Sequence, residues 1–429
     1  MAGRGLPPKL LSAQSQPALL RDSHRSQDAG VPPEVCRAPP ADGLGVVSTA
    51  ISRLHAADFE EALDVLNLAF GKAPPRDFEA ILPVLYRRGE EEMSWNFGLR
   101  ENGRIRAIVG MFPLAYRWGG EILRVAGIGG VSCHPHARGR GYMQQLMAHC
   151  VEVAPVEGFH LSWLGGQRQR YGYFGYEKCG VYYRLTLSQT NVRHVLGDAD
   201  FGIDFLPLER EDRTHLQGVI GLHDAQPFRG VRAPHRFYNL LLSWGHRPYV
   251  ARSRDGRMIG YLVAQADRTC VTELLAVNEG EPELDIAAAW VQRYGNTSFE
   301  LPPWSRLLPK LTQLCEGVSA SSSGNWQIFD WAATLDALLK TRAALVPLMD
   351  GAVVLEIAGY GRVALEVRGD DSQCVRTEAA PALQMDTFTA MRLLCGPLSP
   401  SLVLPLPVAA APLEQWCPLP LFWGRQDGV

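Results

Sequence analysis

The spacing of apolar and polar positions predicts a mixed fold of strands and helices from about residue 46 onwards. The first part has the order β-α-α-β-β-β-α-β-loop-β, with a hairpin at Asn102-Gly103, a dipeptide typical of tight β-turns. Its main helix follows Met143, because apolar residues then recur at Leu146, Met147, Cys150, Val151 and Ala154. The other predicted elements are "VVSTAISRL", "DFEEALDVLNLAFG", "RDFEAILPVLYRRG", "SWNFGLR", "RIRAIVGMFPLAYRW", "EILRVAGIGGVSCHP", "FHLSWLGG" and "VYYRLTLS".

A similar order of elements recurs in the next segment, which predicts a duplicated domain. A hairpin turns at Asp255-Gly256, and the strand "CVTELLAVN" leads into the helix "PELDIAAAWVQRYG" and the strand "TSFELP". This segment has no counterpart of the glycine- and arginine-rich turn described below. We therefore interpret it as a second copy without a ligand site.

The pattern changes again from about Trp326. "IFDWAATLDALLK" predicts a strand and a helix, and a hairpin around Gly359–Gly361 precedes a further helix. The chain ends on "PLPLFWGRQDGV", an apolar and aromatic run, whereas most termini are polar and frayed. We expect this tail to dock against the body. Residues 1–45 are rich in Pro, Ser, Ala and Arg, which predicts either a disordered extension or an over-long gene start.

Composition narrows the classes of function. A formal net charge of -3 and a pI near 6.4 argue against nucleic acid as a partner. No apolar run approaches the roughly 20 residues that span a bilayer, and the first residues lack the apolar core of a secretory signal. The nine cysteines are scattered without a C-x-x-C pair, which favours reduced thiols and a cytoplasmic protein.

The most distinctive segment is "CHPHARGRGYMQQLMAHC", from Cys133 to Cys150. Arg138-Gly139-Arg140-Gly141 stands where the main helix begins, and the first N–H groups of a helix lack intrahelical partners and carry partial positive charge. Glycine lets a ligand approach the backbone closely, and arginine suits phosphate oxygens. The turn therefore predicts a pyrophosphate site. The alternative is an ordinarily capped helix with solvated arginines.

The turn resembles the acyl-CoA pyrophosphate loop of the GNAT acetyltransferase superfamily, with the pattern Q/R-x-x-G-x-G/A. The match runs through Arg138, Gly141 and Met143, and Met143 stands where a small residue is usual. A dinucleotide-binding fingerprint does not fit, because Arg140 replaces a required glycine and no crossover to an acidic residue follows.

From about Val46 to Val429 the chain resembles a narrower group, the Eis-like (enhanced intracellular survival) acetyltransferases, most strongly between Gly127 and Gly180. The resemblance implies an α+β fold with two GNAT-type domains, the second degenerate, and a C-terminal sterol-carrier-protein-like α/β domain. It also implies acetyl-CoA as co-substrate and a homo-oligomer. After the extension at 1–45, the implied domains are the catalytic domain at 46–190, the degenerate domain at 191–318 and the C-terminal domain at 319–429, whose end reaches the active site.

The same resemblance implies which residues bind acetyl-CoA. Strand backbone would hold the pantetheine arm and thioester, the basic turn would cradle the pyrophosphate, and two residues would line the end of the next strand. In this sequence they are Val131, Ser132 and Cys133 on the strand, Arg138, Gly139, Arg140, Gly141, Tyr142, Met143 and Gln144 in the turn, and Gly166 and Gln167 after the next strand.

The bend "RYGYFGYE" supplies a candidate acid. Tyrosines in such a bend are most often packing groups, but thioester aminolysis releases a thiolate that a phenol could protonate. The resemblance assigns the general acid to Tyr171 and a structural role to Tyr176. It assigns the general base to the α-carboxylate of Val429, which fits the apolar, abruptly ended tail.

Two other chemistries receive less support from the sequence. His134 and His136 could suggest a metal, but a strand alternates its side chains and no second ligand pair is near in sequence, so we predict no metal. A covalent route through Cys133 lacks an accompanying His-Asp pattern.

We therefore predict an N-acetyltransferase that moves an acetyl group from acetyl-CoA to a primary amine by direct attack in a ternary complex. The acceptor would be a small cationic amine such as an aminoglycoside, or a lysine side chain; the sequence does not choose between them. The alternative is a non-catalytic GNAT-like binding protein whose C-terminal domain binds an apolar ligand.

Overall fold

The computed structural model describes residues 48–71, 77–277 and 281–429. The extension predicted at 1–45 lies outside the described residues. The described chain forms three β-sheets with helices packed against them. No helix in the described ranges has the length and apolar character needed to cross a membrane.

Strands and helices are numbered in chain order. Up to residue 187 they are β1 (Thr49–Arg53), α1 (Phe59–Phe70), α2 (Phe78–Ile81), α3 (Glu90–Ser94), β2 (Asn96–Glu101), β3 (Arg104–Trp118), β4 (Glu121–Cys133), α4 (Tyr142–Val156), β5 (Leu161–Leu164), α5 (Arg168–Tyr171), β6 (Glu177–Cys179) and β7 (Tyr182–Leu187). The next are α6 (Gln189–Leu196), β8 (Ile203–Pro207), α7 (Arg213–Asp224), β9 (Phe228–Gly230), α8 (Pro234–Leu241), β10 (Arg247–Ser253), β11 (Met258–Ala264), β12 (Cys270–Ala276), α9 (Glu281–Tyr294), β13 (Thr297–Leu301), α10 (Leu307–Leu311) and β14 (Val318–Ser321). The last are β15 (Gly324–Ile328), α11 (Trp331–Leu345), β16 (Gly351–Ile357), β17 (Gly361–Arg368), β18 (Asp371–Arg376), β19 (Leu383–Met385), α12 (Thr387–Cys395) and α13 (Leu413–Trp416).

The first two sheets share one plan. Sheet one has the order β1-β2-β3-β4-β5-β15-β6, with β9 paired to β3, and sheet two has the order β8-β10-β11-β12-β13-β7-β14. Each contains one parallel pair, β4 with β5 and β12 with β13, and a helix connects the strands of each pair, α4 in the first and α9 in the second. The two sheets therefore repeat one order of strands, as the predicted duplication requires.

The two sheets exchange one strand each. β7 follows β6 in the chain but pairs with β13 and β14 in sheet two, and β15 follows β14 but pairs with β5 and β6 in sheet one. The boundaries predicted at 190 and 318 thus do not coincide with the sheets, because backbone hydrogen bonds, not chain order, decide where a strand belongs. The three-domain division itself stays a prediction.

Each sheet buries a hydrophobic core. α4 covers one face of sheet one through residues such as Leu146 and Met147, while α1 and Phe112 pack on the other face. α9 covers sheet two around Trp290. Sheet three, with the order β18-β17-β16-β19, shares its core with the β15 end of sheet one around Trp326.

Most local predictions are confirmed, and one helix is not. The hairpin at Asn102-Gly103 is present, with φ of 50° and 79° at the two residues. The helix predicted over "RDFEAILPVLYRRG" is reduced to α2, because Leu82 precedes Pro83 and leaves the helical region at φ -132°, ψ 65°. The tail is docked as predicted, since Leu421 and Gln426 are fully buried.

Candidate active site

The parallel strands of sheet one separate at the candidate site. β4 and β5 are paired from Val125 to Ile128, and the ladder then ends. A β-bulge follows in β4, where three residue steps from Gly129 to Ser132 match only two in β3. Beyond the bulge β4 keeps β3 as its neighbour, so its other edge faces a cleft. Val131, Ser132 and Cys133, the predicted strand residues, lie along this part of β4.

The bulge depends on a glycine. Gly130 has φ +57°, and a Cβ at this position would lie 2.1 Å from Tyr86 Oη, so only glycine fits. Tyr86 is buried, burial raises the pKa of its phenol, and its hydroxyl has no hydrogen-bond partner among the described residues. No sequence pattern singled out Tyr86, because it falls in the segment predicted as helix.

The basic turn lies where α4 begins. A short 3₁₀ turn, Pro135–Ala137, leads to Arg138, and Gly139 and Gly141 have φ of +79° and +75°. Gly141 is the N-cap and provides no side-chain cap, so the first N–H groups of this 15-residue helix are left without a capping side chain. A Cβ at Gly139 would meet nothing within 4 Å. The start of α4 therefore lacks a side-chain cap, which is a feature that an anion site at a helix N-terminus requires.

The two arginines of the turn have different surroundings. Arg140 forms an ion pair with Glu101, whose carboxylate also accepts a hydrogen bond from the Tyr142 hydroxyl at 2.7 Å. Tyr142 first, and then Arg140 and Arg106, hold the pKa of Glu101 below its usual value. These side chains therefore fix the turn against the end of β2. Arg138 is exposed and forms no ion pair with any described residue, which leaves its guanidinium available to a ligand.

Tyr171 lies at the end of α5, where the chain returns after β5. Its side chain is 8% exposed, and its ring packs on Gly166, where a Cβ would come within 2.9 Å of Cε2 at φ +111°. Burial raises the pKa of Tyr171, and the nearby Arg170 partly offsets that rise. The phenol is therefore protonated at neutral pH and able to donate a proton.

Val429 lies against the same strands from the opposite side of the sheet. A Cβ at Gly129 would be 2.9 Å from its carboxyl carbon, and a Cβ at Gly127 would be 3.2 Å from its side-chain methyls. Glycine at these two positions of β4 thus makes room for the end of the tail. Trp244 contributes to this placement by donating a hydrogen bond from its indole N–H to the Gly428 carbonyl at 3.3 Å.

Sheet two fixes the rest of the tail. Gln426 donates a hydrogen bond to Thr272 Oγ1 on β12 at 2.7 Å. Arg232 is buried and forms paired contacts to Asp427 at 2.8 and 3.0 Å and to Glu273 at 2.7 and 3.0 Å. Sequence reasoning missed these anchors, because the partners are far apart in the chain and none belongs to a motif.

One cavity of about 800 Å³ brings five of the predicted site residues together, while Ser132 and Cys133 do not line it. Val131, Gly166, Gln167, Tyr171 and Val429 all line it. The turn residues from 138 to 144 do not line it; they lie at the start of α4, where β4 ends. This separation suits an extended ligand whose anionic end and reactive end are bound apart. Aromatic residues that sequence reasoning did not single out form much of the wall: Phe70, Phe78, Trp163, Trp244 and Trp423.

Tyr176 and Cys133 differ from Tyr171 in what they can do. Tyr176 is fully buried and donates to Ser162 Oγ at 2.7 Å, while Ser162 donates to the Ala126 carbonyl at 2.6 Å, which supports the structural role assigned to it. Burial raises the pKa of the Cys133 thiol, which disfavours the thiolate that a covalent route needs.

The two histidines near the turn contact one another. His134 Nδ1 accepts a hydrogen bond from the backbone N–H of His136 at 3.3 Å. Over the described ranges, no three His, Cys, Asp or Glu side chains are grouped closely enough to hold a metal ion.

Comparisons with known proteins agree with this geometry. Residues 50–179 match the model of the acetyltransferase (GNAT) domain. Three similar solved structures are GCN5-related N-acetyltransferases from Kribbella flavida (18% identity, TM-score 0.60, 86% of this chain and 95% of that one) and Anabaena variabilis (15%, 0.61, 88% and 98%), and Eis1 from Mycobacterium abscessus (17%, 0.55, 80% and 88%). A search of curated proteins finds no significant match. These matches support a GNAT acetyltransferase domain in the first part of the chain and a shared fold over most of it.

Proposed function

We propose that this protein is an N-acetyltransferase that transfers an acetyl group from acetyl-CoA to a primary amine by direct attack in a ternary complex. The main support is that Tyr171 and the carboxyl group of Val429 line one cavity where β4 and β5 separate. The match of residues 50–179 to the GNAT acetyltransferase domain supports acyl transfer in general. The N-acetyltransferase names of similarly folded proteins point to an amine acceptor.

The residues fit the donor in three places. The open edge of β4 at Val131, Ser132 and Cys133 offers backbone groups to the pantetheine arm, and Gly166 and Gln167 face it from the end of β5. The turn from Arg138 to Gln144 offers uncapped helix N–H groups and the free Arg138 guanidinium to the pyrophosphate. Glycine at 139 leaves the outer side of the turn open for that group.

Proton transfers in this proposal involve two groups. The amine acceptor has a pKa of about 10 when free, so it must lose a proton before attack. The α-carboxylate of Val429 accepts that proton, directly or through water, while the nitrogen lone pair forms a bond to the thioester carbonyl carbon. The carbon–sulfur bond then breaks, and Tyr171 donates its proton to the departing thiolate. The second surplus proton on nitrogen passes through water to the Tyr171 phenolate, and Val429 releases its proton to solvent. Acetylated amine and free thiol are the products.

The overall arrangement resembles the Eis-like acetyltransferases, and we extend the proposal accordingly. Sheet one carries catalysis, sheet two is the degenerate GNAT copy, and the region of sheet three is the sterol-carrier-protein-like domain. In this proposal the protein is cytoplasmic and forms a homo-oligomer. The tail from the last region reaches the catalytic cavity, which explains why a chain of this length needs all three parts for one reaction.

The experiment is a panel of primary amines assayed for free-thiol release from acetyl-CoA, together with calorimetry of acetyl-CoA binding. We expect measurable heat and amine-dependent thiol release. Charge reversal at positions 138 and 140 should weaken the binding. If acetyl-CoA binds but no amine stimulates thiol release, the enzyme proposal is wrong, and a binding protein of GNAT fold becomes the better description.

A further inference from the structure

The charges around the cavity indicate which amines fit it. Among the described residues, its charged side chains are Arg170, Lys178, Glu300 and Arg425, and Val429 adds its carboxylate. Glu300 is already neutralised, because Arg425 contacts both of its oxygens at 2.7 and 3.1 Å and Arg184 forms a further ion pair with it. The cavity therefore has a negative group at Val429 and unbalanced positive groups elsewhere.

Lys178 is the principal unbalanced cation. It is half-buried on β6, and its neighbours Glu177 and Cys179 are buried on the opposite face of the strand. Glu177 pairs with Arg168 and Arg392, so it does not compensate Lys178. No described carboxylate forms an ion pair with Lys178. Burial first, and Arg425 second, lower the pKa of its ammonium group, as expected for a cation without a counter-charge.

A second cation stands at the mouth of the cavity. Arg170 is exposed, lies next to Tyr171 on α5, and forms no ion pair with a described residue. The pyrophosphate turn cannot be the reason for these charges, since its residues do not line this cavity. Lys178 lies on the far side of β5 and β15 from β4, and thus away from the start of α4.

We infer that the acceptor is a zwitterion, with the reacting amine at one end, a carboxylate or similar anion at the other, and an apolar or aromatic body between them. This inference rests on the proposed function and names its substrate class. The ammonium form of the amine is drawn to the Val429 carboxylate, and the anion is drawn to Lys178 and Arg170. Polycationic amines such as aminoglycosides meet repulsion from the same two residues.

The sheet register places the two charged ends of the cavity on different strands, Val429 beside β4 and Lys178 on β6. Ile128, Leu164, Asn325 and Lys178 form one row across β4, β5, β15 and β6. Three strand spacings, about 14 Å, separate the backbone of β4 from that of β6 along this row. The four-carbon stem of the lysine covers part of this span. Val429 packs on Gly127 and Gly129, on the face of β4 opposite to Ile128.

The walls between these ends are apolar. Trp163 and Trp423 stack with ring centroids 5.5 Å apart, and Phe70, Phe78 and Phe422 also line the cavity. Aromatic walls bind apolar bodies by burial and by ring packing. An aromatic body is therefore the best first probe.

The experiment compares para-(aminomethyl)benzoate with its methyl ester and with spermidine, using the full chain. The acid and the ester share the ring and the amine and differ only in the anion. We expect the acid to have a KM about tenfold lower than the ester, because a charge-assisted hydrogen bond contributes about that much. Spermidine should be the poorest of the three. Lys178→Gln should raise the KM of the acid to that of the ester, with little change in kcat, and Lys178→Arg should retain the preference.

Calorimetric binding of the acid and the ester gives a readout that does not depend on turnover. Tighter binding of the acid than of the ester supports the inference if this preference is lost in Lys178→Gln and kept in Lys340→Gln, even when no acetylation is observed. Absence of turnover by itself contradicts only the proposed function. Lys340 is a suitable control because it forms an ion pair with Asp336 outside this cavity. Equal affinity for acid and ester, or a preference for spermidine, overturns the inference while leaving the acetyltransferase proposal intact.

Discussion

Sheet one and sheet two have the same strand plan, but the gaps between their parallel strands hold different things. In sheet one the ladder ends at Ile128, and the gap beyond it opens into the cavity that we assign to the thioester and the amine. In sheet two the ladder ends at Val271, and the next residue, Thr272, accepts a hydrogen bond from Gln426 of the tail. Sheet two thus holds part of the chain at the position where, in our proposal, sheet one holds the substrates.

The helices that follow these strands, α4 and α9, differ in the charge of the residues at their N-termini. α4 begins after a basic turn with glycine at its N-cap, whereas α9 begins with "EPELD". Acidic residues at a helix N-terminus interact favourably with the dipole and repel a phosphate. In our proposal the start of α4 presents a site for an anion, whereas the sequence at the start of α9 contains acidic residues of its own. Residues 278–280, which precede α9, lie outside the described part of the chain.

The largest effect should come from moving the end of the tail away from sheet one. Appending two residues, Gly-Ser, after Val429 displaces the carboxylate from Gly129 and removes the general base, which should lower kcat about a thousandfold. Acetyl-CoA affinity, measured by calorimetry, should stay nearly unchanged. The same two residues added at the N-terminus are the control. Full activity of the extended protein would remove Val429 from the mechanism.

Features set by neighbours in sequence could be predicted, and features set by distant partners could not. The helical spacing after Met143 predicted α4, and Asn102-Gly103 predicted the hairpin. The position of the basic turn at the start of α4 was predicted as well, because four adjacent residues define the turn; its role as an anion site stays a prediction. The repeat of elements predicted the duplication. Each of these signals is local or periodic.

The exchange of β7 and β15 has no local signal, because both strands read as ordinary strands in either sheet. The pairing of Arg140 with Glu101 could not be predicted from the sequence either, since the two residues belong to different elements. It shows that Arg140 holds the turn against β2, whereas Arg138 remains available to a ligand. The charge of the cavity could not be predicted from the sequence either. Lys178 directly follows the bend singled out for its tyrosines, but only the fold shows that the side chain of Glu177 lies on the opposite face of the strand.

Removing the acid in sheet one should have the next largest effect. Tyr171→Phe keeps the ring on Gly166 and deletes only the hydroxyl, so kcat should fall about a hundredfold with little change in KM. Steady-state kinetics with the best amine of the panel measures the separate effects on kcat and KM. Tyr173→Phe is the matched control, because Tyr173 is 90% exposed in the same bend. An equal loss of kcat in Tyr171→Phe and Tyr173→Phe would contradict the role of Tyr171 as the general acid.

Sheet two should affect the reaction only through the tail. Asp427→Ala releases the tail from Arg232 but leaves Arg232 paired with Glu273, so we expect folding to be retained with a loss of about 2 kcal/mol of stability. Poorer positioning of Val429 should lower kcat about tenfold, and the Kd for acetyl-CoA should not change.

Asp204→Ala, which removes an exposed ion pair with Arg293 at the edge of the same sheet, is the control for Asp427→Ala. It should leave kcat unchanged. A lower kcat in both variants would show that general destabilisation, and not the position of the tail, causes the effect.

The smallest effect should come from the helix starts, and it tests the comparison between α4 and α9 directly. Arg138→Ala removes one exposed guanidinium from the turn, which should weaken acetyl-CoA binding about fivefold, the worth of an ion pair near solvent. Glu283→Ala at the start of α9 should leave that affinity unchanged. S-acetylpantetheine has the thioester but lacks the diphosphate, so its KM should be the same in wild type and Arg138→Ala. If Arg138→Ala weakens both donors equally, the turn acts on the thioester end and the proposed division between the anion site and the cavity is wrong.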